Sequence, residues 1–365
     1  MSNYKLVEPN DFVIGLRSFQ HGISHSTVRG IVSPAYTVLR QTGSLDPQFV
    51  KHYFRSILLI SHLANITQGI RQGQAIDIEA FQNLSLPVPP LEEQRRIAGF
   101  LDAETARIDR IVAASQRQSE LLNDRLVESF RALTTTAGSE RPVATGIPWM
   151  PRMHHDWKLM KVGRYFKTSS GTTPRTSNPA YFDGNHFWVN TGDLRDAAVE
   201  SPKKTVTDLA LADYPTLKVH QAGSLAVAMY GATTGRVGIL GVPACVNQAC
   251  CVLSEMGPVS SLYAFLWFRG HREEILRLAS GGGQPNISQD LVRGLRIPAP
   301  SRVDQEVIVS RGNALESATA RQRALQVRRV SLLTERRQAL ITAAVTGQFD
   351  VSTASGRNVT DGVSA

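Results

Sequence analysis

Three short loops in the second half of the chain combine glycine with side chains that can donate hydrogen bonds. They are Ser169–Arg175, Tyr230–Arg236 and Ser280–Asn286. Glycine lets a backbone approach a phosphate closely, the amides of Gln and Asn can pair with adenine, and Arg can pair with guanine. Ordinary solvated turns have the same composition. If these loops instead contact the bases of DNA, the residues expected to make the contacts are Thr172, Thr173, Arg175, Tyr230, Thr233, Thr234, Arg236, Gln284 and Asn286.

The residue types that carry catalysis are not arranged for it. The sequence has no Asn-Pro-Pro-aromatic motif of an adenine methyltransferase and no GxxxxGK[ST] phosphate loop of an ATPase. His154-His155-Asp156 could bind a metal, but adjacent histidines point apart in most backbones, and we interpret the triplet as a solvated turn. We therefore expect a binding protein with no catalytic residue, no metal and no cofactor of its own.

Composition indicates folded domains with an anionic partner. A chain of 365 residues with 42% hydrophobic content predicts two or three domains of roughly 100–200 residues each. The net charge is +9, and the 40 basic residues comprise 32 Arg and 8 Lys. Arginine pairs bidentately with phosphates and guanine edges, although a GC-rich genome would also enrich it.

The cysteines and the hydrophobic runs predict a cytoplasmic protein. Cys245, Cys250 and Cys251 lie in one apolar stretch and are too few for a disulfide framework. We expect buried, reduced thiols. The first residues do not resemble a signal peptide, and no run of 18 apolar residues occurs.

The chain contains an internal repeat. Leu86–Gln94 aligns with Ile297–Gln305, and the shift of 211 is constant, since 298 − 87 and 305 − 94 both give 211. Each copy follows a globular-looking segment and begins a charge-rich helical one. A repeat of this length is a duplicated domain, not a solenoid, whose period is about 20–50 residues. By this repeat, the DNA-contact loops of the first copy carry Arg17, Gln20, His21, Arg71, Gln72 and Gln74.

Three segments resemble the DNA-specificity subunit of type I restriction–modification systems. Pro87–Asp102 resembles the start of a helix in that family, and Arg336–Gly347 resembles the end of its second helix. Gly146–Trp149, with Trp157 eight residues on, resembles the beginning of its target-recognition domains. The match covers residues 4–350.

The resemblance implies a non-catalytic subunit that reads a bipartite site on double-stranded DNA. Two modification (methyltransferase) subunits would dock on its helices for adenine N6 methylation, and restriction subunits would bind that core. S-adenosylmethionine would belong to the modification subunit. Partner contacts are then expected at Glu93, Gln94, Arg96, Gln305, Arg336 and Arg337.

The expected fold class is α/β (α+β), with two globular domains separated by two long antiparallel coiled-coil helices. Periodicity predicts these helices over 91–135 and 303–345, and their apolar stripes require a partner helix. The second seam is expected at Ala318, Leu325, Leu332 and Ala339. Shorter helices are predicted over 47–67 and 260–279. The expected domains are 1–88 (C-terminal part of the first target-recognition domain), 89–138 (first helix), 139–300 (second target-recognition domain), 301–350 (second helix) and 351–365 (disordered tail).

The repeat predicts that the first domain is incomplete. Pro9–Phe12 corresponds to Ala222–Leu225 and Ser33–Tyr36 to Asn247–Cys250, whereas nothing corresponds to Trp157–Tyr214. A partial domain exposes core surface. We expect either a short separate polypeptide that completes the first domain, or an inactive truncated subunit. A coiled-coil scaffold that reads no DNA is a further alternative, and the Gly-, Gln- and Arg-rich loops argue against it.

Overall fold

The computed structural model describes residues 3–15, 18–41, 43–68, 75–279 and 286–352. The chain divides into two compact units, which are Met1–Ser119 with Ala324–Ala365, and Glu120–Arg323. The predicted long helices are present as Leu91–Thr135 and Arg302–Val345. Within the described ranges, no helix has the length and apolar content needed to cross a membrane.

The first unit contains small antiparallel sheets packed on helices. The strands pair in the orders β3-β2-β5, β1-β4 and β6-β7. Its core joins Phe12 of β2 to Leu101 and Leu340 of the two long helices. The elements are β1 (Lys5–Val7), β2 (Phe12–Ile14), α1 (Ser18–His21), β3 (Ser24–His25), β4 (Gly30–Val32), β5 (Thr37–Leu39), α2 (Pro47–Tyr53), α3 (Ile57–Asn65), β6 (Thr67–Gln68), β7 (Ala75–Ile76), α4 (Ile78–Gln82) and α5 (Leu91–Thr135).

The second unit is built on a five-stranded sheet of order β11-β18-β15-β16-β13 and a three-stranded sheet of order β14-β12-β17. Two further ribbons pair β8 with β9 and β10 with β19. The elements are β8 (Val143–Ile147), β9 (Met150–Met153), β10 (Lys158–Lys161), α6 (Val162–Tyr165), β11 (Phe166–Ser170), β12 (Phe182–Val189), β13 (Ala197–Val199), β14 (Thr205–Val206), α7 (Asp208–Asp213), β15 (Leu225–Ala228), β16 (Val237–Leu240), β17 (Ala244–Val246), β18 (Cys250–Glu255), α8 (Ser261–Gly270), α9 (Arg272–Leu278), α10 (Gln289–Gly294), β19 (Arg296–Ala299) and α11 (Arg302–Val345).

Two single helices predicted from the sequence are each broken in two. In the first unit, the hydroxyl of Ser56 accepts a hydrogen bond from the backbone N–H of Leu59 at 3.3 Å and begins α3. In the second unit, His271 leaves helical geometry between α8 and α9. The Ser56 cap competes with helix continuation, whereas His271 makes no side-chain cap bond to α9. Apolar periodicity alone reveals neither break.

The buried cysteines confirm the expectation of reduced thiols. Cys245 lies in β17, Cys250 and Cys251 lie in β18, and all three are free. Burial raises the pKa of Cys245 to about 11 and those of Cys250 and Cys251 to about 12. These thiols therefore stay protonated and act as small apolar side chains.

The duplication seen in the sequence is also present in the strand register. Phe12 pairs with Leu39 in the first unit, and Leu225 pairs with Leu253 in the second. The shifts are 225 − 12 = 213 and 253 − 39 = 214. The order β3-β2-β5 thus corresponds to β16-β15-β18.

A buried glutamine at the first turn of each long helix is the second shared feature. Gln94 and Gln305 are each 1% exposed. The side-chain oxygen of Gln94 accepts from the N–H of Asp46 at 2.7 Å, and that of Gln305 accepts from the N–H of Ser260 at 2.8 Å. Asp46 and Ser260 are the N-caps of α2 and α8. Each glutamine therefore ties a long helix to the helix of the adjacent domain.

The amide nitrogens of the two glutamines complete the ties. The Gln94 amide donates to the carbonyl of Pro89 at 2.8 Å. The Gln305 amide donates to the carbonyls of Pro258 and Pro300 at 2.9 and 3.0 Å. Both polar ends of each side chain are thus satisfied inside the protein, as buried amides require.

The long helices are antiparallel within the first unit. Arg337 of α11 pairs with Asp109 of α5 at 3.1 Å, and farther along the chain the ring of Phe349 lies 5.6 Å from that of Phe100. Residue numbers rise along one segment as they fall along the other. This arrangement agrees with the expected antiparallel pair.

The predicted seam of α11 is wrong at its two leucines. Leu325 is 66% exposed and Leu332 is 53% exposed. The less exposed side of the helix is instead a column formed by half-buried Gln326, Val330 and Leu333 and then by buried Leu340 and Ala344. Because part of this column is polar, apolar periodicity did not identify it: Leu325 and Leu332 of the predicted heptad lie on the outer side of the helix, and Ala318 and Ala339 are half-buried.

We predict that Gln305→Leu lowers the free energy of unfolding of the second unit by about 1–3 kcal/mol, because it leaves the Ser260 N–H and two proline carbonyls without partners. Urea denaturation followed by tryptophan fluorescence measures this. The control is Glu306→Gln, a change of similar size at the neighbouring exposed position. Equal urea midpoints of unfolding for the two variants would show that the Gln305 amide does not stabilise the contact between the two helices.

We predict that the second unit loses stability as the pH falls from about 6.5 to about 4. Burial lowers the pKa of His271 to about 4, whereas an unfolded histidine titrates near 6.5. In this window the unfolded chain binds a proton that the folded chain does not, which costs up to about 3 kcal/mol. His271→Phe should flatten the pH dependence, and a slope equal to that of the wild-type chain would contradict the assignment.

Candidate nucleic-acid interface

Several strands of the second unit end close together, and their loops form one surface. The N–H of Thr172, after β11, donates to the carbonyl of Val246, which ends β17, at 3.2 Å. The N–H of Asn247 donates to the carbonyl of Val189, which ends β12, at 3.0 Å. The N–H of Met229, after β15, donates to Ala249 at 2.7 Å. We call the surface formed by loops 171–175, 190–193, 229–236 and 247–249 the loop face.

The loop after β11 is held by the sheet and leaves its arginine exposed. Gly171 packs so closely that a Cβ there would lie 1.7 Å from the carbonyl oxygen of Val246, which explains the glycine. The indole N–H of Trp188 donates to the carbonyl of Thr172 at 3.2 Å. The N–H of Arg175 donates to the hydroxyl of Tyr214 at 3.1 Å, so the backbone is fixed while the guanidinium faces solvent.

The loop after β15 is a compact turn built by its threonines. Thr233 donates its hydroxyl proton to the carbonyl of Thr191 at 3.0 Å, and Thr234 donates to Gly231 at 2.6 Å. Gly235 has φ +79°, a conformation that favours glycine. Both predicted threonines thus shape the loop, and exposed Tyr230 and Arg236 project from it.

The structure adds one candidate residue that the sequence analysis missed. Gln248 is exposed in the turn between β17 and β18, and its side-chain oxygen accepts a hydrogen bond from Thr173. Its amide nitrogen remains available to a base edge. The adjacent amides of Asn247 and Gln248 between two strands were a usable signal, but the sequence does not show which loops meet.

Exposed Asn286 lies at the margin of the loop face, because the N–H of the next residue, Ile287, donates to Met229 at 2.8 Å. The predicted residue Gln284, together with Arg17, Arg71, Gln72 and Gln74 of the first unit, lies outside the described residues.

The charged side chains of the loop face are two arginines, Arg175 and Arg236, and one carboxylate, Asp193. In the part of the chain that the structure describes, neither Arg175 nor Arg236 pairs with a carboxylate, whereas Asp196 is paired with Arg272. The carboxylate of Asp193 accepts a hydrogen bond from the backbone N–H of Asn190 at 2.8 Å. Burial raises the pKa of Tyr230, so its hydroxyl remains a hydrogen-bond donor. The surface can therefore pair with phosphates and with base edges.

The first unit has an equivalent turn. Gly22 has φ +80° and corresponds to Gly235, since 235 − 22 = 213. Gln20 and His21 lie just before it in α1 and are exposed. The position equivalent to Gln248 is Pro34, since 248 − 34 = 214, so this copy has no amide there.

The predicted partner residues divide into buried and surface groups. Burial of Gln94 and Gln305 corrects the expectation that they touch a partner, because both side chains bond inside the protein. Glu93 pairs with Arg96 on the first turns of α5. Arg337 pairs with Asp109, and Arg336 is partly exposed.

The histidine triplet is more compact than expected. The rings of His154 and His155 stack 4.6 Å apart instead of pointing away from each other. With Asp156 they offer three ligand atoms within 4.8 Å of one another. The N–H of Asp156 donates to His154 at 3.2 Å, and His155 lies 3.3 Å from the Asp156 carboxylate, so the triplet is an internally bonded turn.

Comparison with known proteins extends the resemblance. A specificity subunit of the type I restriction enzyme MjaVIII from Methanocaldococcus jannaschii is 24% identical over 335 residues, which are 86% of this chain and 73% of that protein. A chain from a structure of "complex assembly and conformational transition of the type I R-M system" has a TM-score of 0.72 at 20% identity, covering 96% of this chain and 85% of that one. The HsdS subunit of Thermoanaerobacter tengcongensis gives 0.51 at 19% identity, covering 96% and 84%.

The two structures share the fold, a mixed arrangement of helices and sheets with two long helices. The family model for the type I restriction modification DNA specificity domain matches residues 8–119 and 154–327, which include most of the strands, the loop face and most of both long helices. The chain therefore belongs to the family of type I restriction–modification DNA specificity subunits.

Proposed function

We propose that this chain reads a bipartite site on double-stranded DNA and positions modification subunits for adenine N6 methylation, without catalysing a reaction itself. The single observation that carries the proposal is the loop face. Four loops from different strands meet there, and they present Arg175, Arg236, Gln248 and Tyr230 on one surface. Such a set combines phosphate positioning with donors and acceptors for base edges.

The duplication supports a two-part site. The first unit repeats the strand register of the second and carries the equivalent turn at Gly22. Two related recognition domains on one chain would each bind one half-site. The rigid helices α5 and α11 would keep the length of the unrecognised spacer between the half-sites constant. At 1.5 Å per residue, helices of 45 and 44 residues are long enough to act as a ruler.

Exposed apolar residues on α11 support a docking surface for modification subunits. Leu325 and Leu332, which lie seven residues apart and therefore on one face of the helix, are 66% and 53% exposed. An apolar stripe on a charged helix is typical of a partner interface. Restriction subunits would bind the same core, and S-adenosylmethionine would be held by the modification subunit. The similar chain comes from a structure of type I R-M complex assembly, which supports the proposal that this chain also has partner subunits.

We predict that Arg236→Ala and Gln248→Ala change one half of the methylated sequence and leave the other half intact. Each well-placed base contact contributes about 1–3 kcal/mol of discrimination. The experiment is to co-express the chain with its modification subunit and map methylated adenines. Arg296→Ala is the control, an exposed arginine on β19 outside the loop face.

The same proteins allow a salt titration of duplex binding. Removing an arginine that contacts a phosphate should make the fall of log affinity with log salt shallower by about 0.9. Removing Gln248 should leave this slope unchanged. If both half-sites change together, or if no loop-face variant alters the site, the proposed reading surface is wrong.

We predict that the double substitution Leu325→Lys with Leu332→Lys reduces binding of the modification subunit at least tenfold, because it introduces charge into the apolar stripe. Analytical ultracentrifugation of the mixed subunits measures the loss. Leu209→Lys is the control, since Leu209 is 47% exposed in α7 of the second unit. Unchanged assembly of the double variant would place docking elsewhere.

A further inference from the structure

An ion pair in the second unit supports the turn that carries Arg236. The guanidinium of Arg272, the first residue of α9, pairs with the carboxylate of Asp196, which precedes β13. The two side chains are 27% and 22% exposed, whereas Arg236 is an exposed residue. The pair is therefore largely enclosed by protein, and the arginine next to it in space faces solvent.

The ion pair holds the backbone on both sides of Arg236. On the N-terminal side, the Nε–H of Arg272 donates to the carbonyl of Gly235 at 3.0 Å. On the C-terminal side, the carboxylate of Asp196 accepts from the N–H of Val237 at 3.2 Å. The backbone N–H of Asp196 also donates to the carbonyl of Val237 at 2.9 Å. The position of Arg236 thus depends on both members of the pair.

The remaining backbone groups next to Arg236 bond within the hairpin formed by β15 and β16. The N–H of Gly235 donates to the carbonyl of Ala228 at 2.8 Å, and the N–H of Arg236 donates to the carbonyl of Thr233 at 3.0 Å. The carbonyl of Arg236 accepts from the N–H of Ala228 at 2.8 Å. Each N–H and C=O group from 235 to 237 therefore has a partner, and the partners from outside the hairpin are Arg272 and Asp196.

The backbone of Asp196 has a conformation that its contacts must stabilise. Its φ is +61°, in the left-handed region, where aspartate is one of the few tolerated residues besides glycine. Such a conformation persists where the surrounding structure determines it. Here the bonds to Val237 and the pairing with Arg272 supply that constraint.

The helix that carries Arg272 is itself anchored in the second unit. Glu274 and Ile275 of α9 are 8% and 2% exposed. Glu274 pairs with Arg131 of α5 at 2.8 Å, and the Nε–H of Arg131 donates to the carbonyl of Gly270 at 3.2 Å. Arg272 therefore extends from a fixed base toward the turn.

We propose that Arg272 and Asp196 are positioning residues that determine the base selectivity of the second unit through Arg236. This inference rests on the proposed function of the loop face and adds to it a requirement for a partly buried ion pair. An arginine that recognises a base edge forms two hydrogen bonds with a planar fork. A small shift of its backbone weakens both bonds, so the residues that support it contribute to selectivity without touching DNA.

The test measures base selectivity of the full chain co-expressed with its modification subunit. Selectivity is the methylation of the recognised sequence divided by that of sequences with one changed base in one half-site. Arg272→Ala should lower this ratio about tenfold or more at the base position that Arg236→Ala affects. The double substitution should lower it no further than Arg236→Ala alone, because a positioning residue acts through the residue that it positions.

Arg269→Ala is the matched control. Arg269 lies three residues before Arg272, its side chain is 11% exposed, and it pairs with Glu316 of α11 at 2.6 Å. Its loss removes a comparable ion pair that does not contact the turn, so selectivity should stay as in the wild-type chain.

Asp196→Asn provides a conservative variant of the other member of the pair. Asparagine tolerates the left-handed backbone and keeps a side-chain oxygen for the N–H of Val237. It should therefore lower selectivity less than Asp196→Ala does, and it tests the proposal even where an alanine variant does not fold.

The outcomes separate this inference from the function on which it rests. If Arg236→Ala alters selectivity but Arg272→Ala and both Asp196 variants do not, the ion pair has no positioning role and the loop face keeps its own. An equal loss in Arg269→Ala would assign the effect to general destabilisation, and a further loss in the double variant would show that Arg272 acts independently of Arg236. Unchanged selectivity of Arg236→Ala would overturn the contact by Arg236 and this inference together.

Discussion

The buried glutamine at the start of each long helix is the contact on which the rest of the architecture depends. The first turns of a helix leave backbone N–H groups without partners, and here the start of a domain helix must meet the start of a long helix. One amide satisfies both sides, since its oxygen takes an N–H from the cap of α2 or α8 and its nitrogen reaches proline carbonyls. Because the bonds are buried, the angle between domain and helix is defined by geometry and not by a flexible linker.

The sequence contained the evidence for this contact but not its meaning. In the aligned repeats, the identical positions are Pro87 with Pro298, Pro89 with Pro300, and Gln94 with Gln305. A polar residue preserved at a helix start can face a partner or the interior, and a single sequence does not separate these cases. The helix bounds were predictable because prolines and charge runs mark them. The seam of α11 was not, because part of its sheltered column is polar at Gln326.

The loop face could be predicted in part for a similar reason. Local composition identified the loops around Arg175 and Arg236, since glycine and hydrogen-bonding side chains are evident in sequence. Their convergence depends on β12 pairing in parallel with β17, a contact between strands distant along the chain. This pairing brings Gln248 beside Thr173. Long-range pairing of this kind leaves no mark in local sequence, so Gln248 was recognised only in three dimensions.

The duplication also separates two influences on side-chain burial, which are pairing between strands and packing of an adjacent segment over the sheet. Val38 and Val252 are the same residue type at the same register position, 214 residues apart, and only Val252 is fully buried. The pairing with β2 or β15 is shared, so it does not account for the difference in exposure. What differs is the adjacent segment that supplies Val189 and Leu194 in the second unit. Register is therefore specified by the strands shared between the copies, whereas closure of the core requires the additional strands.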